Sequence, residues 1–267
     1  MIYNNFDDSR KLCQSLADQT PADFDLTCVL VDNSDASDVI ADILALASEF
    51  EFVEVLTPEK NMGYFPAISL ALQQYADGYD YVVAGNNDLI YDPSFTSKLV
   101  QKTYEDPIMV VCPDIVTADG VHQNPHHKRR LAKWQRLYFD VYFSHYSVGR
   151  LVNSLKKILL RVLKRNQYFA QDDTVQPKAS LIDQGVGACY IFLPSFLQKA
   201  GNQLYYEWFL YGEEACLSWQ VKDLKGVMWY DPELSVWHAE SATLSKISTR
   251  QNYEFARSSF WNYRKLL

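Results

Sequence analysis

Two short apolar runs in this chain each stop on an acidic, amide-rich turn, and that repeated junction limits the folds open to it. Leu26-Thr27-Cys28-Val29-Leu30-Val31 runs into Asp32-Asn33-Ser34-Asp35, and Tyr81-Val82-Val83-Ala84 runs into Gly85-Asn86-Asn87-Asp88. Continuous apolar runs of this length between turn residues read as buried strands. Helical patterns stand around them. Leu12, Cys13 and Leu16 mark a helix over 8–19, apolar residues at 40, 43, 44, 46 and 47 another over 37–50, and Ile68, Leu72 and Tyr75 a third after the Asn61-Met62-Gly63-Tyr64 turn. Further strands are expected at 52–56 and 108–112. The alternation predicts an α/β fold with a mostly parallel central sheet flanked by helices. Asp32 and Asp88 are then expected on one sheet edge, where open α/β sheets gather ligands. Taken alone, the second turn reads equally well as a polar strand-to-helix connection, with Asp92 as N-cap and Pro93 opening the next helix.

The same grammar resumes after residue 181. Ala188-Cys189-Tyr190-Ile191-Phe192-Leu193 reads as a strand closed by Pro194. Phe209-Leu210-Tyr211-Gly212-Glu213-Glu214 leads into a helix with Leu217, Val221 and Leu224 along its apolar side. Residues 227–230 and 234–238 read as short strands, and 252–267 as an aromatic, basic surface helix. Between the two parts, from 149 to 165, Leu151, Val152, Leu155, Ile158, Leu159, Val162 and Leu163 share one helical face, with Arg150, Lys156, Lys157, Arg161, Lys164 and Arg165 around the rest. Against a net charge of −8, residues 128–166 hold eleven Lys and Arg and a single acid, Asp140, so this segment is +10 and the remainder −18. Such a basic amphipathic helix fits an anionic membrane surface, where each Lys or Arg contributes about 1 kcal/mol. The other reading is a helix that packs its apolar face on the domain and solvates its charges. Nucleic acid is not expected as a partner, since the acidic remainder repels phosphate.

Cys13, Cys28, Cys112, Cys189 and Cys216 lack metal or redox spacing and are expected as buried thiols in a reducing compartment. The polar, acidic start is unlike a signal peptide, and no apolar run reaches the length of a membrane span. A cytoplasmic protein, peripheral on the inner face of the cell membrane, is the resulting expectation.

The succession Tyr3-Asn4-Asn5, Val31-Asp32-Asn33-Ser34, Asn61-Met62-Gly63-Tyr64, Asn86-Asn87-Asp88, Phe209 to Glu214 and Val236-Trp237-His238 resembles the family-2 glycosyltransferases. The nearest likeness is to rhamnosyltransferase-like members of bacterial surface-polysaccharide pathways. It runs over nearly the whole chain apart from the basic segment. Each motif alone is weak, whereas the ordered set is fairly specific. The resemblance implies a GT-A fold in a single domain, with a nucleotide-binding half at 1–120, a basic helical insert at 121–180 and an acceptor-binding half at 181–267. It implies inverting transfer of a sugar, rhamnose by the nearest likeness, from a nucleotide-diphosphate donor to a lipid-linked or polysaccharide acceptor. By the same likeness Tyr3, Asp32, Asn33, Ser34, Asn61, Gly63 and Asn87 serve the nucleotide, with Asp32 on the base. Asp88, Asn86 and His238 serve a Mg²⁺ or Mn²⁺ ion, and Glu213 and Glu214 supply the catalytic base.

Those residue types suit that chemistry. A departing nucleoside diphosphate gathers negative charge that a divalent ion neutralises, and such an ion takes oxygen ligands while keeping positions for phosphate and water. An acceptor hydroxyl needs a positioned carboxylate to take its proton. Each acid also has an ordinary role, since Glu213 and Glu214 are well placed as first-turn acids stabilising a helix N-terminus. The chain departs from the family pattern in several places. Only Met1 and Ile2 precede Tyr3, Phe65-Pro66-Ala67 replaces small residues, Glu214 stands for Asp, and Cys216 and Gln220 replace an acid and an arginine. These departures motivate the alternative of a degenerate, non-catalytic glycosyltransferase-like binding or scaffold protein. A nucleotidyltransferase would bring a Gly-rich phosphate loop with a basic residue after the first strand, and none is present.

Overall fold

The computed structural model describes residues 1–3, 6–19, 24–34, 37–162, 176–208, 210–240 and 249–267, with the backbone alone at 37–39, 157 and 159–162. Of the motif and turn residues quoted above, Asn4, Asn5, Asp35 and Phe209 lie outside the described residues. Strands β1 (Cys28–Val31) and β2 (Val53–Leu56) form a parallel pair. A larger sheet holds β3 (Val82–Gly85), β4 (Leu89–Tyr91), β5 (Ile108–Thr117), β6 (Ser180–Ile182), β7 (Cys189–Phe192) and β8 (Val227–His238), in the order β3-β7-β5-β8-β4 with β6 also on β8. Ile2 joins the two sheets. Its N–H donates to Val31 O at 2.8 Å, and the amino group of Met1 donates to Gly85 O at 3.0 Å. Ile2 bridges in parallel to Asp32, and with the Met1 contact to Gly85 this ties the two acidic turns together.

Helices cover both faces, as the alternation predicts. On one side α1 (Asp7–Ala17), α2 (Ser37–Ala47) and α4 (Phe95–Val100) contribute Leu12, Ile43, Leu46 and Phe95 to the core. On the other, α3 (Tyr64–Tyr75), α7 (Pro194–Ala200) and α8 (Glu213–Asp223) contribute Phe65, Leu72, Phe196 and Val221. The sheet itself is mixed rather than mostly parallel: β5 pairs parallel with β8, while the β3–β7, β5–β7, β4–β8 and β6–β8 pairings are antiparallel. Periodicity marks a strand without giving its direction. Direction follows from the crossovers, and the long excursion between β5 and β6 returns β7 against its neighbours.

Several boundaries differ for local reasons. Three residues after Asp88 already form β4, too short a run to stand out, so the helix starts later than Pro93. Asp92 instead accepts from Ser94 N at 2.9 Å, closing the turn ahead of α4. Pro113 does not end β5, because a register shift between Pro113 and Asp114 absorbs it. Pro194 opens α7 at its first turn, where its missing N–H costs nothing. The two expected strands at 227–238 are one, β8, with β5 along one side and β6 then β4 along the other. The cysteines are all free thiols, and Cys28 alone is incompletely buried.

The basic segment forms α5 (Lys133–Tyr142) and α6 (Tyr146–Val162). They pack with α9 (Thr249–Tyr263) through Phe139, Phe143 and Phe260, and Tyr253 donates from its hydroxyl to Tyr142 O at 2.6 Å. The insert therefore shares a small core with the C-terminal helix. Lys164 and Arg165, expected at the end of the basic helix, lie outside the described residues.

Candidate active site

The first acidic turn is built around a buried carboxylate. Asp32 is 1% exposed, its Oδ1 accepts from Ser34 N at 3.0 Å, and its Oδ2 has no hydrogen-bond partner among the described residues. Asn33 locks this turn to the next one: its Oδ1 accepts from Met62 N at 2.9 Å and its Nδ2 donates to Asn61 Oδ1 at 2.8 Å and to Gly63 O at 3.1 Å. Asn61 Oδ1 also accepts from Gly63 N at 3.0 Å. Gly63 caps α3 with φ +83°, a conformation in which a side chain is strained. Tyr3 lies at the surface nearby in sequence, 36% exposed. Of these residues Asp32 offers a buried acceptor to a ligand, while Asn33 spends its amide and Asn61 its amide oxygen on holding the loops.

The second turn is set by strand register. Leu89 pairs with His238 across β4 and β8, so Asp88 is carried against the histidine, with Asp88 Oδ1 and His238 Nε2 3.3 Å apart. His238 Nδ1 meets Gln123 Oε1 at 2.9 Å, which fixes the ring. Asn86 donates its backbone N–H to Ala188 O at 3.0 Å, and Asn87 turns its amide onto Ser9 Oγ at 2.9 Å, under α1. Among the described residues no group of three or more His, Cys, Asp or Glu side chains is gathered as a metal cage. An oxygen and an imidazole nitrogen are what Asp88 and His238 bring, and that pair suits a divalent ion whose other positions are filled by ligand oxygens and water.

Glu213 and Glu214 begin α8 after two residues of left-handed backbone, Tyr211 at φ +68° and Gly212 at φ +93°. Ser259 donates its hydroxyl to Leu210 O, and Tyr211 donates its hydroxyl to Asn252 Oδ1, so α9 straps this turn down. Glu214 Oε1 accepts from Gly187 N at 3.3 Å, and Glu213 Oε1 from the Tyr206 hydroxyl at 3.1 Å. Burial, then the charge of Glu214, pushes the Glu213 carboxyl up to about 7. Burial also raises Glu214, opposed by its own backbone N–H and by that of Gly187. His127 is pushed down to about 4 by burial and by His126, so it is neutral at pH 7. A Cβ on Gly212 would meet the Tyr263 ring at 2.2 Å. Gly212→Ala is therefore expected to destabilise the fold by about 2–4 kcal/mol, read as a lowered urea midpoint at unchanged slope.

The raised Glu213 carboxyl has a consequence for stability. Its folded value, about 7, exceeds the ordinary 4.5, so between those values the folded chain holds a proton that the unfolded chain has lost. Stability from this group falls as pH rises through that window. Glu213→Gln is expected to raise the unfolding free energy at pH 8 by about 1–3 kcal/mol, with the gain vanishing near pH 4.5. Urea titrations at both pH values check it.

The Asn86 turn, α3 and the start of α8 are all bonded to Gly187-Ala188. Ala188 O receives the N–H of Asn86, Gly187 N reaches Glu214, and Gly187 O accepts from the Tyr64 hydroxyl at 2.7 Å. Sequence reading did not single out His127, Tyr206 or Gly187. Their signal is spatial: His127 enters through a bridge to Gln184, far along the chain from α8.

The profile of glycosyl transferase family 2 matches residues 1–162. Among curated proteins none matches the chain in sequence. The fold is similar to that of GalNAc-T7, solved with UDP, GalNAc and Mn²⁺, at TM-score 0.55 and 14% identity over 85% of this chain and 40% of that one. A mannosyltransferase from Pyrobaculum calidifontis, PcManGT, in complex with GDP-Man and Mn²⁺, aligns at TM-score 0.52 and 13% identity over 91% and 56%. TarS of S. aureus, residues 1–349, aligns at 0.56 and 11% over 90% and 58%. The chain thus spans from 40% to 58% of the length of these structures.

Proposed function

This chain belongs to glycosyl transferase family 2, and we propose that it transfers a sugar, with inversion, from a nucleotide-diphosphate donor to a hydroxyl of a lipid-linked or polysaccharide acceptor in surface-glycan synthesis, rhamnose being the sugar suggested by the motif likeness. One observation carries the reading. The Gly187-Ala188 segment bonds on one side to the turn that bears Asp88 and on the other to Glu214. A donor diphosphate at Asp88 and His238 and an acceptor at Glu214 would then share one cleft.

In this reading the buried Oδ2 of Asp32, an acceptor in want of a donor, takes an N–H of the nucleotide base. Asp88 and His238 would hold the divalent ion, which supplies charge neutralisation for the departing diphosphate when bound. Glu214 accepts the proton of the acceptor hydroxyl while that oxygen forms its bond to the anomeric carbon. The bond from that carbon to the diphosphate oxygen breaks, and the electron pair leaves with the nucleoside diphosphate. The Gly187 N–H orients the Glu214 carboxylate, and Glu213, bound to Tyr206, keeps the pair's charge from doubling at low pH.

Calorimetric titration with a panel of uridine, guanosine and thymidine diphosphate sugars, with and without Mn²⁺, tests the donor assignment. Saturable binding of at least one donor, tighter with Mn²⁺, is expected. Folded protein that binds none of them would leave the non-catalytic scaffold as the better reading.

A further inference from the structure

We infer that α5 and α6 together form a docking face for an anionic lipid surface. Sequence pattern pointed to one helix; the structure adds a second. On α5, Trp134, Leu137 and Val141 recur at helical spacing and are 61%, 62% and 47% exposed, and no residue of this helix is fully buried. On α6, Leu151, Leu155 and Ile158 are 59%, 55% and 56% exposed, so much of its apolar face is not spent on the domain. The helices are adjacent, with Asn153 Nδ2 donating to the Tyr142 hydroxyl at 3.1 Å. Two neighbouring helices that each hold large apolar side chains in water need something to cover them.

Charge selects the occupant. Arg129, Lys133 and Arg150 are exposed in the same segment, and the lone acid Asp140 is held by Arg264. The segment carries +10 while the remaining chain carries −18. An anionic bilayer attracts this face and repels the rest, which both binds and orients the molecule. An exposed indole among cations is the side chain suited to the headgroup region. Among the described residues no helix is long and apolar enough to cross a membrane, so the contact is interfacial. This inference does not rest on the catalytic reading, and its test does not read turnover.

The test is co-sedimentation of the full chain with phosphatidylcholine vesicles, with and without phosphatidylglycerol. Binding is expected with the anionic vesicles alone, and it weakens as salt rises. The double variant Trp134→Ser/Leu137→Ser should lower partitioning by about tenfold or more while leaving the circular dichroism spectrum unchanged. Lys133→Glu/Arg150→Glu should remove the preference for anionic lipid. Wild-type protein that stays in solution with both vesicles, or a Trp134→Ser/Leu137→Ser variant that binds as wild type does, overturns the inference. So does a wild-type dimer in sedimentation velocity that the same substitutions dissociate, since a second copy would then be the occupant.

Discussion

With Glu214 replaced by Gln, donor binding is expected to survive while the transfer rate falls by about 10²–10⁴-fold. The expectation rests on where the carboxylate sits. Its Oε1 accepts from Gly187 N at 3.3 Å, a contact an amide oxygen can keep, so the substitution removes the proton acceptor and little else. Asp88 and His238, proposed to serve the donor, are positioned by the β4–β8 pairing and by Gln123, which the substitution leaves in place. In steady-state terms kcat drops and the KM for the donor holds, the pattern of a group acting only in the transition state. A variant that turned over normally would move the base role to Glu213. The pH profile adds a second reading. Glu213, raised to about 7, loses its proton near that pH, and the negative charge it then places beside Glu214 makes that carboxylate a stronger base, so the rate of the wild-type protein should climb through that pH.

Asp88→Ala is the other substitution of large expected effect. Charge neutralisation by a bound ion is worth several kcal/mol at a leaving diphosphate, so turnover should fall by about 10³-fold. The loss should include the response to Mn²⁺, which a merely structural residue would leave in place. Because Asp88 and His238 bring few ligand atoms of their own, the ion should bind weakly to the protein alone and firmly once a nucleoside diphosphate adds its oxygens. Paramagnetic resonance of Mn²⁺ reads this directly: the free-ion signal should fall only when protein and nucleoside diphosphate are both present. Tight capture of Mn²⁺ by the donor-free protein would contradict the assignment, as would a Mn²⁺ response unchanged in Asp88→Ala.

Much of the arrangement was legible in sequence because it depends on where apolar runs stop. Asp32, Asp88 and Glu214 all stand at such stops, and all lie at element ends in the fold. What was not legible depends on residues distant along the chain. The family likeness places Asn33 with the nucleotide, and the fold shows its amide clamping the Met62-Gly63 turn. Asn87 likewise turns to Ser9. No local pattern tells an amide that faces a ligand from one that faces a loop. Gln220, which stands where an arginine is common, accepts from Tyr205 N at 2.9 Å and donates to Gln203 O at 2.8 Å, holding the loop before α8. Strand direction in the larger sheet was missed for a related reason: alternation of apolar and polar residues is the same whichever way a strand runs. The apolar stripe on α5 was missed because its aromatic residues point both ways. Phe139 packs inward on Phe260, while Trp134 faces out.

In the proposed reaction Asp88 and Glu214 act together to move a sugar off a nucleotide diphosphate. It is tested most directly by following radiolabelled sugar from a donor panel into a lipid-linked or polysaccharide acceptor in Mn²⁺ buffer, with nucleoside diphosphate release measured in parallel. Wild-type protein should transfer from at least one donor with inverted configuration, Glu214→Gln should bind that donor without transferring, and Asp88→Ala should lose the Mn²⁺ response. Folded wild-type protein that releases no nucleoside diphosphate and labels no acceptor from any donor would contradict it.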